Sequence, residues 1–370
     1  MNKLERLNAV RNMKAPDYMP VWPRAMSQII YGMGWTLAEV MGNDWYDSGK
    51  FAAAILQSLK KIDYDVVLPA YIDSTFGITA AGGRYVFTDR FGYFAGFLPD
   101  KPVKNISDWS RVQKRLAHAN VRNSDPLMRG ALETIRNVSS VVGKTTPLVG
   151  TGYLASTAAM MLFRSSDDFI NDMINRPEFA NEMCRVAADW TMDWIRAQYE
   201  AGVNSVTFLI DTMGINMMSP LMGERFNFHY LCETVDRIGK EFNQGVWLHI
   251  HGNMKTTMGK RYLEKIVEQS GIEGLHLDKS HSPRWIKKNV IDRFGIPACI
   301  VLDCHKIAAG PASKIEALVK DSLTYIDDGL GTMMAPCCHV LPYTSNENFK
   351  AWVDATHEQG VHPLQCDRKL

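Results

Sequence analysis

Short runs of apolar and β-branched residues alternate along most of the chain with longer stretches whose apolar positions recur at helical spacing. That alternation predicts repeated βα units around a parallel sheet. Eight candidate strands follow from it, over 19–22, 65–71, 146–151, 203–211, 245–251, 272–278, 298–303 and 331–336. The last five come at even intervals with a helix between each pair. The first three are looser, because a long insertion separates Tyr71 from Thr146. Eight such units predict an α/β fold of the TIM type, a (β/α)8 barrel.

Two helices can be read in detail. Pro177 suits a first helical turn, and Phe179, Met183, Val186, Trp190, Trp194 and Tyr199 follow at helical spacings before Gly202 ends the run. Ser313 is placed to cap another, with Ile315, Leu318, Val319, Leu323 and Ile326 on one face and Gly329 closing it. No repeat, linker or low-complexity tract divides the chain, so residues 1–370 read as one domain. Within it, 72–145 is an elaboration with a turn signal at Ala81-Gly82-Gly83 and aromatic Tyr85, Phe87, Phe91, Tyr93 and Phe94. The expectation there is a β-hairpin plus helices capping the barrel.

Composition narrows the partners. A chain of 370 residues that is 46% apolar sustains a large core. Charges nearly cancel, 41 Lys plus Arg against 40 Asp plus Glu, and no basic stripe appears. This argues against nucleic acid and leaves room for a small anion. The longest apolar stretches, such as 65–71, are strand-sized and far short of a membrane span. Residues 1–6 read as the opening of a helix rather than a secretory signal. With seven scattered cysteines, the expected compartment is the reducing cytoplasm. Each cysteine is then a core residue, a metal ligand or a nucleophile.

In such a barrel the reactive groups gather where strands end. The candidate strand ends carry Asp211, His249-Ile250-His251-Gly252, Asp278, Asp303-Cys304-His305 and Pro336-Cys337-Cys338-His339. Asp, His and Cys are thus concentrated on one rim. His249 and His251 lie two apart on a strand, so their side chains point the same way. Imidazole nitrogens with a thiolate suit zinc, and three protein ligands with one open position is the catalytic arrangement. Cys337 and Cys338 cannot both face inward from extended chain; one is a ligand and the other packs. A bare His-x-His pair is as readily structural as metal-binding, and the Cys-Cys at another strand end tips it toward metal.

The remaining candidates each have a plain alternative. Asp211 and Asp278 read as acids or substrate-binding carboxylates, or as caps of the turns after them. Cys304 and His305 read as a fourth-ligand source, or as a buried thiol beside a surface imidazole. His339 reads as a loop cap, while His357 and His362 read as exposed. Arg24, Tyr71, Met218 and Met333 are candidates for lining substrate. The methionines, twenty in all, serve equally to fill the core.

At these residues the sequence resembles the uroporphyrinogen decarboxylase superfamily. Within it, the similarity is to the branch of cobalamin-dependent methyltransferases typified by methylcobalamin:coenzyme M methyltransferases. Trp247-Leu248-His249-Ile250-His251-Gly252-Asn253 is similar to that branch's Leu-His-x-Cys-Gly-Asn motif. The stretch from Pro336 to Asn348 is similar to its closing Gly-Cys-x-x-x-Pro-x-Thr-Pro-x-x-Asn motif. Asp211 with Met218-Ser219-Pro220 downstream, Asp278, and Pro20-Val21-Trp22 also match. The resemblance implies zinc on His249, His251 and Cys338, with His251 standing where the branch has Cys. Losing a thiolate makes the metal a stronger Lewis acid and a poorer activator of a bound thiol. The branch's Glu between Asp73 and Gly82 is missing, which leaves the fourth ligand open. Of the decarboxylases' Arg-Gln-Ala-Gly-Arg stretch only Arg24 is hinted at, in Pro23-Arg24-Ala25-Met26-Ser27, so porphyrinogen decarboxylation is a remote reading.

What the resemblance implies is a corrinoid-dependent, zinc-containing methyltransferase. It would move a methyl group between a small donor and the cobalamin of a separate corrinoid protein docked at the barrel mouth. A methoxylated aromatic, demethylated as in an O-demethylase system, is the favoured donor. The alternative is transfer from methylcobalamin to a thiol of the coenzyme M kind. A metal-free binding barrel is a remote third reading. Expected partners are a corrinoid protein and a small methyl donor or acceptor, with a homodimer as an option and neither nucleic acid nor membrane.

Overall fold

A computed structural model describes all residues except 43, 71–76, 87–96, 213–216, 327 and 365–370. Tyr71, expected above as a substrate contact, lies outside the described residues, as do Phe87, Phe91, Tyr93 and Phe94 of the elaboration. An antiparallel hairpin pairs β1 (Arg84–Val86) with β2 (Phe97–Asp100). A parallel sheet then runs in sequential order through β3 (Gly150–Tyr153), β4 (Thr207–Asp211), β5 (Val246–Ile250), β6 (Gly274–Leu277), β7 (Ala298–Leu302) and β8 (Thr332–Pro336).

Two further positions close the ring, each held by a bridge rather than a ladder. Val21 bridges Met334 of β8, with the Trp22 N–H donating to the Met334 carbonyl at 2.8 Å and the Met334 N–H to Pro20 at 2.9 Å. The N–H groups of Asp65 and Val66 donate to the Val21 carbonyl at 3.1 and 3.2 Å. Val67 in turn bridges Leu148. The eight positions form the expected closed barrel. The first two fall short of full strands because Pro20, Pro23 and Pro69 cannot donate to a ladder.

Alternation along the strands decides what fills the barrel. Trp22, Phe208 and Trp247 are fully buried, with Trp22 centroids 4.7 Å from Phe208 and 5.7 Å from Trp247. Burying one such ring removes roughly 150–250 Å² from water, worth about 4–6 kcal/mol. Gly274 is needed beside them: a Cβ there would sit 2.4 Å from the Trp247 ring. At the opposite end from the strand termini, buried Asp65 accepts from Arg6 Nη1 (2.7 Å), the Val21 N–H (2.8 Å) and His357 Nε2 (2.8 Å). His357, expected to be solvated, is therefore part of the packing that holds the first barrel position.

The helix Pro177–Ala201 runs as the spacing predicts, with Pro177 in its first turn, Met183, Trp190 and Trp194 buried, and Gly202 at φ +120° beyond it. Ser313 does not cap its helix. That helix spans Ala312–Leu323 with Pro311 at the cap position, and it stops before Ile326 and Gly329. Within 72–145, the helix Pro126–Val142 packs on Ser48–Ile62 and on Pro177–Ala201 as the barrel's own second helix. Only the part before it departs from the repeat. Among the described residues no helix is long and apolar enough to cross a membrane.

Candidate metal centre

Three side chains from two strand ends converge at the C-terminal mouth. His249 lies on β5, His251 one residue past its end, and Cys338 two residues past β8. Each offers one ligand atom, and these atoms lie within 4.8 Å of one another. Three points so placed share a centre within about 2.8 Å (4.8 Å divided by √3), close to zinc bond lengths of about 2.0–2.3 Å. The period of two brings both imidazoles to one face, and Gly252, at φ +125°, turns the chain directly after them. Cys337 has the opposite parity and turns toward the helices. Its Sγ lies 3.5 Å from that of Cys304, at the start of the helix Cys304–Ala309 and beside Asp303. Cys338 is thus the inward member of the pair, and Cys304 and Cys337 form a separate buried thiol pair.

The donor set fits a thiophilic divalent ion. His249 is fully buried, and its Nε2 makes no hydrogen bond among the described residues. Burial first, then neighbouring His276, Arg24 and His251, holds the His249 pKa well below its ordinary value. His251 is lowered by burial and by Arg24. His276 and His339 are each pushed down to about 3, chiefly by burial. These rings are neutral at pH 7, so each keeps an acceptor nitrogen.

Arg24 faces the same point. It sits at φ +46°, a left-handed backbone that a non-glycine residue adopts only when its surroundings hold it there. Its buried guanidinium lies over the Phe208 ring at 4.9 Å, donates to the Cys338 carbonyl at 2.8 Å and stands 3.9 Å from Cys338 Sγ. That places a fixed positive charge beside the Cys338 sulfur. His339 Nδ1 is 3.2 Å from the same sulfur.

Both carboxylates proposed from the sequence are engaged by backbone and side chains. Asp278, half-buried, accepts from the Gly252 N–H at 2.8 Å, the Ser280 N–H at 2.9 Å and the Ser280 hydroxyl. Burial alone would raise its pKa, but hydrogen bonds from His281, Ser280 and Gly252 hold it well below the usual carboxylate range. His281 Nε2 accepts from the Met254 N–H at 3.0 Å. Asp278 and His281 therefore pin the loop that follows His251. Asp211 ends β4 fully buried and accepts from the Thr157 hydroxyl (3.3 Å) and the Asn227 amide (3.4 Å), tying helix Ala155–Leu162 and the turn Glu224–Phe228 to the strand.

Met218 lines a groove of about 450 Å³ at the mouth, with Pro220, Asn253, Thr256 and Met258. Met333, the other methionine singled out, is not at the rim. It is fully buried near the start of β8 and shares the outward parity of Cys337, so it packs under the helices. His276, His281 and His339 were not singled out as parts of the centre. The signal for His276 was parity: it lies two residues before Asp278, on the inward face of an otherwise apolar strand.

A closed (β/α)8 barrel with two imidazoles and a thiol gathered at its mouth defines the class. The chain belongs to the uroporphyrinogen decarboxylase (URO-D) family, whose model matches residues 2–359. It is 25% identical over 227 residues to the methylcobamide:CoM methyltransferase MtaA of Methanosarcina barkeri (strain Fusaro / DSM 804), a match covering 61% of this chain and 62% of that protein. It is 26% identical over 266 residues to the uroporphyrinogen decarboxylase of Ruthia magnifica subsp. Calyptogena magnifica, covering 70% and 71%. The match to MtaA thus spans less than two thirds of that relative. A methyltransferase from Methanosarcina mazei shares the fold, with a TM-score of 0.76 at 23% identity over 97% of this chain and 99% of that one.

Proposed function

We propose that this chain is a corrinoid-dependent methyltransferase that holds zinc on His249, His251 and Cys338. A methyl group would pass between a small donor and a corrinoid carried by a separate protein. The carrying observation is the donor set: a buried, neutral His249 whose Nε2 has no hydrogen-bond partner among the described residues, with one ring nitrogen within 4.8 Å of a second imidazole and a thiol. The relatives named as methylcobamide:CoM methyltransferases support the reaction class.

Zinc held on these three residues would supply Lewis acidity at the mouth, and a corrinoid on a separate protein would be the other party to methyl exchange. The chain's own residues supply position and charge. Burial keeps His249 and His251 unprotonated at neutral pH. Arg24 anchors the Cys338 carbonyl and faces its sulfur, and Asp278 holds the Gly252 turn. With a single sulfur ligand and the Arg24 guanidinium beside it, the site favours a leaving group that develops negative charge on oxygen. The groove at Met218 is within the size range of small-molecule sites, and its methionines suit an aromatic ring. A methoxylated aromatic leaving as phenolate meets both conditions.

A second reading keeps the site and transfers the methyl group to a thiol; the name of the MtaA relatives favours it. Two assays separate the readings: cob(I)alamin with a methoxybenzoate, and methylcobalamin with coenzyme M, each followed by the corrinoid absorption spectrum. The expected result is one equivalent of zinc, lost in His249→Ala, and methylcobalamin formed from the methoxybenzoate. Transition metal below about a tenth of an equivalent, unchanged in His249→Ala, would leave a metal-free binding barrel instead. Carbon dioxide released from a porphyrinogen would move the chain to the decarboxylase side of its family.

A further inference from the structure

We infer that His276 is a positioning residue of the metal centre, which fixes the tautomer of His249 and ties the two ligand-bearing strand ends together across the barrel. The inference rests on the zinc reading above. His276 is fully buried on β6, in register with His249 on β5. Its Nε2 lies 2.9 Å from the Pro336 carbonyl oxygen. A carbonyl only accepts, so Nε2 carries the proton and donates it. The Nδ1 of His249 faces the His276 carbonyl oxygen, which can only accept, so that atom carries the His249 proton and the Nδ1 of His276 beside it is left as an acceptor.

That Nδ1 lies 2.6 Å from His249 Nδ1, which is also 3.1 Å from the His276 carbonyl oxygen. Both neighbours accept, so the single proton of His249 sits on its Nδ1. Its Nε2, buried and with no hydrogen-bond partner among the described residues, is then the unprotonated nitrogen, the one that can bind an ion held together with His251 and Cys338. Without these acceptors the proton could move to Nε2 and block the ligand position.

The same ring also spans a weak seam. β5 and β6 are paired over four residues, and β7 and β8 over five, but β6 and β7 share only the Leu275–Ala298 pair. The His276–Pro336 bond reaches past β7 to β8, two residues before Cys338 on the same face. One chain of hydrogen bonds thus runs from the Pro336 carbonyl through His276 to His249, linking the strand that carries the thiol to the one that carries the imidazoles. Outer partners of this kind orient ligands before metal arrives.

Two measurements test this. In metal-free protein labelled with 15N-histidine, long-range 1H–15N correlations report each ring's tautomer directly. His249 should be protonated on Nδ1 and His276 on Nε2; His249 protonated on Nε2 overturns the inference. Second, Co2+ binding is titrated by visible absorption. His276→Phe keeps a ring but removes both nitrogens, and Co2+ should bind roughly 10–100-fold more weakly. His276→Gln, whose amide oxygen accepts while its NH2 donates, should return to within about threefold of the parent protein. Affinity in His276→Phe equal to the parent's overturns the inference. A parent protein that takes up no Co2+ refutes the zinc reading instead, a result independent of the tautomers.

Discussion

Replacing Asp65 by Asn should destabilise the protein far more than its near-identical shape suggests. The carboxylate is 0% exposed, with Oδ1 on Arg6 Nη1 at 2.7 Å and Oδ2 on both the Val21 N–H and His357 Nε2 at 2.8 Å. An Asn keeps one acceptor oxygen and presents an NH2 to a neighbour that is itself a donor. It also removes the charge opposite Arg6, whose side chain is 4% exposed. Breaking a buried pair on one side costs about 3–5 kcal/mol. Arg6 keeps Asp17, at 2.6 and 2.9 Å, so the lower end, about 3 kcal/mol, is expected. The loss should reach the site, because Val21 has only a bridge to β8 and leads through Trp22 to Arg24 on the Cys338 carbonyl. Urea unfolding of Asp65→Asn measures the cost, with Asp63→Asn as the control. That residue is 68% exposed and pairs with Lys3 at 2.7 Å, so its loss should cost under about 1 kcal/mol. Equal effects from the two substitutions would refute the reasoning.

Three other outcomes follow from the same contacts. Gly274→Ala, whose Cβ would meet the Trp247 ring at 2.4 Å, should destabilise by about 1–3 kcal/mol in urea; a change within about 0.5 kcal/mol means the ring gives way freely. Asp278→Asn should weaken zinc or Co2+ binding roughly 10–100-fold, with turnover per bound metal retained, because the residue positions the Gly252 turn; a fall in turnover at full metal occupancy would assign it to the chemistry. Metal-free protein should lose stability as pH falls. His276 and His339, near 3 when folded and near 6.5 when unfolded, bind protons more tightly in the unfolded chain. Their contribution is complete above pH 6.5 and declines below it, by about 1.4 kcal/mol per pH unit for each ring. Unfolding midpoints that stay flat from pH 7 to 4.5 would contradict the burial of these imidazoles.

The order of elements and the rim that bears the chemistry were already determined along the chain. Alternating β-branched runs and helical spacings specify βα units, and parallel βα units close with their reactive residues at the strand ends. The period of two put His249 and His251 on one face. It also required Cys337 and Cys338 to part, which they do, one against Cys304 and the other toward the imidazoles. Three-dimensional packing decided the rest. Met333 has the outward parity, which only the inward turn of Cys338 makes visible, so a rim candidate proved to be core. Asp211 and Asp278 stand at strand ends as expected, yet the hydroxyls, amides and backbone N–H groups that engage them come from residues 2 to 54 positions away. His276 meets Pro336 60 positions on, and His357 meets Asp65 292 positions back. A residue's local pattern dictates which face it takes. Its partner there depends on how the strands stand beside one another, because a hydrogen bond is a contact between surfaces that only closure of the barrel brings together.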